Sequence, residues 1–303
     1  NATGLSLTAQ NGDVDASSAK LSAKTGALSV EANKALTAAD ANLSGKTIGL
    51  TATTRSVSAT NAVLSAGESL KVSAKTDANL KDASFATTSA AVSLIATDGK
   101  VDLSTADHSK ALNASSLMVT AEKDVDLGNR QVSTTTDTTV IADGNVNATK
   151  TDLKALNALS LKAGNDVFAT NAKLNGRSVA VTATTGSVTA QSATLTSTAA
   201  TAVNAGKDIA LNSAQIKGAD ISLAASAGQV SASNAALAVT DALKVAAKSD
   251  AIFRGASFTT TGAAVSMTAT DGKVDLSTAD NLKVLNASSL TVIAGADAVL
   301  GNR

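Results

Sequence analysis

Residues 265–280 read Val265-Ser-Met-Thr-Ala-Thr-Asp-Gly-Lys-Val-Asp-Leu-Ser-Thr-Ala-Asp280, and residues 92–107 read Val92-Ser-Leu-Ile-Ala-Thr-Asp-Gly-Lys-Val-Asp-Leu-Ser-Thr-Ala-Asp107. Extended at a constant offset of 173 without a gap, residues 70–130 and 243–303 agree at 42 of 61 positions. A chain that copies itself this closely has to be read as a repeat array first.

A shorter period lies inside the long one. Taking the Asp of Asp208-Ile-Ala-Leu as a marker, the equivalent positions are Ala35, Asp77, Asp124, Asp166, Asp208, Asp250 and Asp297, spaced by 42, 47, 42, 42, 42 and 47. The long period is therefore four short units, one of which carries five extra residues. Each unit has two halves of about 21 residues. One half starts at the marker. The other centres on an apolar-x-Ala-x-x-Gly-x-Val phrase at residues 7–14, 94–101, 181–188, 223–230 and 267–274, with Arg55 in the glycine's place at 50–57 and a shortened form at 140–146.

Within each half the apolar residues alternate, as in Ile209 and Leu211, Ile221 and Leu223, or Leu243 and Val245. Alternation at period two marks short strands with one buried face, and helical spacing is nowhere sustained. Ser, Thr, Asn, Asp, Lys and Gly fill the connections, as turn chemistry requires. Three short strands and their corners cannot bury an apolar face alone, but stacked coils can. The expected fold is all-β: a right-handed parallel β-helix of about 14 coils with about 21 residues per coil, since parallel crossovers are overwhelmingly right-handed. We expect a single uncapped segment over 1–303, built of seven two-coil units and excised from a longer protein. The five extra residues fall in 86–91 and 102–113, with counterparts at 259–264 and 275–286, and are expected to bulge outward.

Composition agrees with a thin core of small side chains. Hydrophobic residues make up 44% of the chain, aromatic residues only 1%, and there is no Pro, Cys, Trp or Tyr. Proline would remove a ladder donor wherever strands pair above and below. Twenty-five basic residues balance twenty-five acidic ones, so no long-range field draws in nucleic acid or a membrane surface. Stacking platforms for bases are missing as well. No run approaches the length of a membrane span, and lack of cysteine excludes disulfides and thiolate metal sites.

No catalytic, cofactor-binding or metal-ligating set is assigned. Marker aspartates on every second coil stand ~9.6 Å apart, too far to share an ion, and read as corner residues bonding local backbone N–H groups. The only histidine, His108, has Asn281 as its counterpart, so triad logic fails in the duplicate. Phe85, Phe168, Phe253 and Phe258 read as core filling. Asn1, Asn42, Asn113, Asn147 and Asn286 head Asn-x-Ser/Thr triplets that an Asn-, Ser- and Thr-rich chain produces by chance. If the array touches a partner, the places are the bulges carrying Asp107, His108, Ser109 and Lys110, and Asp280 and Asn281.

The phrase Asn204-Ala-Gly-Lys-Asp-Ile-Ala-Leu-Asn-Ser-Ala-Gln-Ile-Lys-Gly-Ala-Asp-Ile-Ser-Leu-Ala-Ala-Ser-Ala-Gly-Gln-Val230 resembles the repeats of filamentous haemagglutinin and related two-partner-secretion exoproteins. The resemblance implies a secreted or cell-surface bacterial stalk, of an adhesin or of a contact-dependent growth-inhibition toxin. It further implies export through an outer-membrane transporter, with host or neighbouring cells contacted through parts outside this chain. Two alternatives are a β-helical polysaccharide-cleaving enzyme, disfavoured by dispersed charge and few aromatics, and an ice-binding solenoid. The latter needs one flat Thr-patterned face, whereas Thr-rich stretches such as residues 133–139 change face and content. Both ends lie in repeat phase, so open coil ends are expected to associate end to end.

Overall fold

The computed structural model describes residues 3–106, 108–260, 262–280 and 283–302. All regular elements among them are β-strands. The chain divides into two compact units, Asn1–Leu156 and Asn157–Arg303. Each is a β-solenoid of seven coils, marked by the two-residue strand that every coil contributes.

In the first unit these marks run from Val14–Asp15 to Val146–Asn147, every pairing parallel, with Val57 opposite Ala78 and Val101 opposite Val125. The longer strands stack into inward columns. One column holds Leu28, Ile48, Leu70, Val92 and Leu117. Two residues along runs Val30, Leu50, Val72, Leu94 and Val119, and two further runs an unbroken row of alanines from Ala32 to Ala121. The second unit repeats the scheme with Leu159, Val179, Thr201, Ile221, Leu243 and Val265. Period-two alternation is visible residue by residue: in Ser178–Ala183 every second side chain is buried, because a strand with one wet face can bury only alternate residues.

A tight corner follows each two-residue strand in the regular coils. Its third residue has positive φ, at Ser18, Asp40, Asn61, Asp82, Asn129 and Lys150 in the first unit and Asn171, Ser192, Ser213, Asn234, Gly255 and Asn302 in the second, Lys150 being the one that is not Asn, Asp, Ser or Gly. Asn, Asp and Ser tolerate that region better than branched residues. The fourth residue is usually a buried alanine whose N–H closes the turn, as Ala193 does onto Ala190 O at 3.3 Å. That alanine's own carbonyl accepts an N–H from the next coil: Ala41 O from Val63, Ala62 O from Ser84, Ala193 O from Gln215, and Ala214 O from Ala236, each at 2.8 Å.

Two sequence expectations are modified. Three separate strands per coil are not always kept, since two merge in six coils, as in Asn42–Ala52 and Gln215–Ala225. The extra residues lie where the spacing puts them, but only some leave the sheet. The coil step lengthens by two or more residues twice in the first unit, where Ala78 pairs with Val101 and Val101 with Val125, and by one where Val14 pairs with Leu36. It lengthens twice more in the second, where Ala251 pairs with Val274 and Val274 with Ala298. In the first unit the residues of 86–91 stay inside one strand, Ser84–Ala96, as a β-bulge between Ala86 and Ala91. The paired strands on both sides run straight through, so a bulge costs less of the ladder than a loop. In the second unit the strand breaks into Ser257–Thr259 and Ala264–Ala269, with Gly262 at φ 84° between them.

Phe85, Phe253 and Phe258 fill the core. Phe168 does not, contrary to the sequence reading: Val167 takes the inward place and turns its neighbour outward, leaving Phe168 exposed.

Deleting the 42 residues from Val167 to Asp208 joins Asp166 to Ile209 and preserves every column. Circular dichroism should show an unchanged β-spectrum per residue and a cooperative melt. Deleting only residues 167–176, about half a coil, should abolish cooperative unfolding by throwing the later columns out of register.

Candidate functional site

Two features rise above the regular coil: the marker corner and the widened coils. At the marker corner the carboxylate reaches across coils, not along its own. Asp77 Oδ1 accepts the N–H of Lys100 at 2.9 Å, and Asp124 Oδ1 that of Asn145 at 2.7 Å. In the second unit Asp166, Asp208 and Asp250 accept from Ser187, Gln229 and Lys273 at 2.7, 2.8 and 2.9 Å. The bond that was expected to be local is therefore between stacked coils.

This geometry explains the glycine of the repeated phrase. A Cβ placed on Gly99 would stand 2.5 Å from Asp77 Oδ1, and one on Gly144 would stand 2.5 Å from Asp124 Oδ1. Gly186, Gly228 and Gly272 would meet Asp166, Asp208 and Asp250 in the same way, and the preceding backbone as well. The one unit whose marker is not Asp, at Ala35, is followed by the one phrase whose glycine is not Gly, at Arg55. Aspartate below and glycine above pair in these five places, whereas Asp13 Oδ1 accepts the Ala35 N–H at 2.8 Å beneath Lys34, without a glycine.

The widened coil of the first unit, residues 103–110, lacks the positive-φ corner among its described residues. It is held by side chains instead. Asp102 Oδ1 accepts from Ser104 N and Oγ at 2.9 and 2.6 Å, Ala106 N donates to Asp82 Oδ1 at 2.8 Å, and Lys110 Nζ donates to Asp82 O at 2.7 Å. Thr87 Oγ1 donates to Asn113 O at 2.6 Å. The second unit repeats four of these bonds at the equivalent residues: Ser277 N and Oγ to Asp275 Oδ1 at 3.0 and 2.6 Å, Lys283 Nζ to Gly255 O at 2.7 Å and Thr260 Oγ1 to Asn286 O at 2.9 Å. Of the residues singled out as partner contacts, His108 and Ser109 are exposed, Lys110 is half-buried with its ammonium on the Asp82 carbonyl, and Asp280 is exposed. Asp107 and Asn281 lie outside the described residues.

Sequence reasoning missed Arg130. It stands where other corners place alanine, is 0% exposed, and gives hydrogen bonds to Leu103 O at 2.6 Å, Ala83 O at 2.8 Å and Lys110 O at 3.0 Å. Its guanidinium carbon lies 5.3 Å from the centre of the Phe85 ring. Burial lowers its pKa from 12.5 to about 10, against the pull of Asp82 and Asp102, so it stays cationic at neutral pH. The available signal was the alanine column itself, broken by Arg130. Also missed was Asp275, 2% exposed, whose Oδ2 lies 2.6 Å from Arg254 Nη2 and whose Oδ1 accepts from Ser277 Oγ at 2.6 Å. Burial alone would raise its pKa, but the Ser277 and Arg254 bonds win and hold it at about 2. Asp126 moves the other way, raised by burial first and by neighbouring Asp102 as well.

An open groove of about 820 Å³ follows the small-residue corner of the first unit past Ser22, Ser44, Ser65, Lys24 and Lys46. A second of about 580 Å³ occupies the equivalent corner of the second unit at Gly218, Ala219, Ala238 and Val239. The Thr-rich stretch 133–139 turns Thr134 and Thr138 inward, buried and 3.0 Å apart at their hydroxyls. No protein-family model, curated protein or solved structure matches this chain.

Ala35→Asp should destabilise the first unit by about 1–2 kcal/mol, because a Cβ in the equivalent glycine positions would stand against the marker carboxylate. Adding Arg55→Gly should recover that loss in urea unfolding of the same chain; two strictly additive effects would contradict the pairing. For Asp275 the folded pKa lies below the unfolded value of about 3.9. Its contribution is therefore complete above pH 4 and is lost as pH falls towards 2. Asp275→Asn should remove about 2 kcal/mol at pH 7 and flatten that limb of the stability–pH curve.

Proposed function

We propose that this chain is a structural stalk segment of a secreted bacterial surface filament, an adhesin or a contact-dependent toxin carrier, that holds a distal binding or toxic domain away from the cell. The reading rests on the repeat style of residues 204–230. The observation that carries it is how the side chains are used. In each unit the inward positions are columns of Val, Leu, Ile and Ala, and the corner carboxylates are engaged with the backbone of the next coil. Each coil thereby contributes about 4.8 Å of stacked, hydrogen-bonded backbone, and its polar groups serve the stack. The role is mechanical, and neither catalysis nor a cofactor is invoked. Export through an outer-membrane transporter of the two-partner-secretion type, unfolded and folding coil by coil outside, is part of the same proposal.

The test places the chain between an outer-membrane anchor and a binding domain of known ligand on a bacterial surface. Capture of ligand-coated beads should depend on the number of two-coil units, with the binding specificity set by the distal domain alone. Cleavage of an acidic polysaccharide by the purified chain, or attachment of the chain itself to cells, would replace the stalk reading with an enzyme or a binding module.

A further inference from the structure

We infer that Arg130 is a latch that makes the widened coil close only when the coil after it has been laid down. In regular corners the alanine carbonyl accepts an N–H from the coil directly above, as Ala62 O does from Ser84 and Ala193 O does from Gln215. At Ala83 the coil above is the widened one, and the carbonyl accepts from Arg130 Nη1 at 2.8 Å. The donor comes from two coils further on. The same guanidinium bonds Leu103 O and Lys110 O on either side of the widened stretch. Arg130 itself is fixed by the turn bond of its N–H to Leu127 O at 2.8 Å and by the N–H of Asp152 on its carbonyl at 3.1 Å. The acceptors of the guanidinium belong to residues 80–110, and their shared donor is residue 130.

A fully buried guanidinium, with no carboxylate bonded to it among the described residues, is costly unless its donors are matched. Here carbonyls match them and the Phe85 face covers the cation. The consequence concerns order of assembly. In a solenoid each coil ordinarily docks on its predecessor. Around residues 80–110 the carbonyls remain open until the chain has reached residue 130, so two coils wait for a third and then close together.

The amides of Leu80 and Asp82 report this directly, because their acceptors, Asp102 O and Ser104 O, lie in the widened coil itself. In pulsed hydrogen exchange during refolding of the full chain, read by residue-resolved NMR, they should gain protection together with Val101 and Leu103, whose acceptors Asp124 O and Asp126 O lie in the coil that carries Arg130. Protection of Leu80 and Asp82 ahead of those two residues would overturn the latch. In the folded Arg130→Met variant, exchange at Leu80 and Asp82 should rise by about tenfold or more. Ala38 and Asp40, whose acceptors Ser58 O and Thr60 O lie in a coil that Arg130 does not bond, should stay within a factor of about two. Arg130→Lys should recover part of the protection. Equal change at all four amides, or none, would reduce Arg130 to general packing. If Arg130→Met does not fold, the order of protection in the unmodified chain decides alone.

Discussion

A carboxylate that takes a backbone proton from the neighbouring coil is the contact on which the period of this molecule depends. Stacked identical coils would give a single period of about 21 residues, since parallel pairing requires nothing longer. Aspartate at the corner breaks that equivalence. In five places its oxygen occupies the space in which the next coil would place a Cβ, and there the coil above presents glycine, while the coil above that is free to present aspartate again. The alternation of the two corner types doubles the repeat to 42. Each such bond contributes only about 1 kcal/mol, but in a one-dimensional stack the neighbour terms add along the array. The marker and the glycine phrase are one interaction seen from its two sides.

The widened coils show what happens when that regularity is interrupted. Extra residues displace the N–H groups that corner carbonyls expect, and a buried carbonyl without a donor is expensive. Each unit restores the balance with long side chains. Lys110 and Lys283 reach back to the positive-φ residue of the coil below, and Thr87 and Thr260 bond the carbonyl on the far side of the widening. The acceptors are main-chain oxygens, so they survive the change from Asp82 to Gly255 at the acceptor position. In the first unit Arg130 lies against Phe85, and its sequence equivalent, Arg303, lies outside the described residues. In the second, Phe253 takes the place that Leu80 has in the first, and its ring centre lies 5.9 Å from that of Phe258.

The coil, its length and the positions of the extra residues were legible because they are written in local alternation and in spacing. Val265, Met267 and Ala269 declare their inward face without knowledge of any distant partner. What escaped the sequence is what depends on residues a coil or more apart. The direction of the marker carboxylate is decided by an N–H on the following coil, and nothing near Asp166 in sequence announces Ser187. Arg130 lies in the polar-looking phrase Gly128-Asn129-Arg130, where an arginine on a wet corner is the ordinary expectation. Only alignment of the corners shows it in an alanine slot. Phe168 was misjudged for the opposite reason: an aromatic residue in an apolar run looked like core, while the phase of a two-residue strand, set by Val167, turned it to solvent.

Two classes of residue differ in what they touch. A corner aspartate meets its glycine one coil above, and the one marker that is Ala35 is followed by Arg55 in the glycine's place. His108 and Ser109, exposed on the widened coil of one block, stand where the other has Asn281 and Leu282 in sequence. Two blocks that agree at 42 of 61 positions therefore keep the tethering lysine and threonine and differ at these two. Within each unit that division leaves the stack of coils undisturbed. It also confines variation to the few places where the chain leaves the stack, which is where a surface can change without altering the coil beneath it.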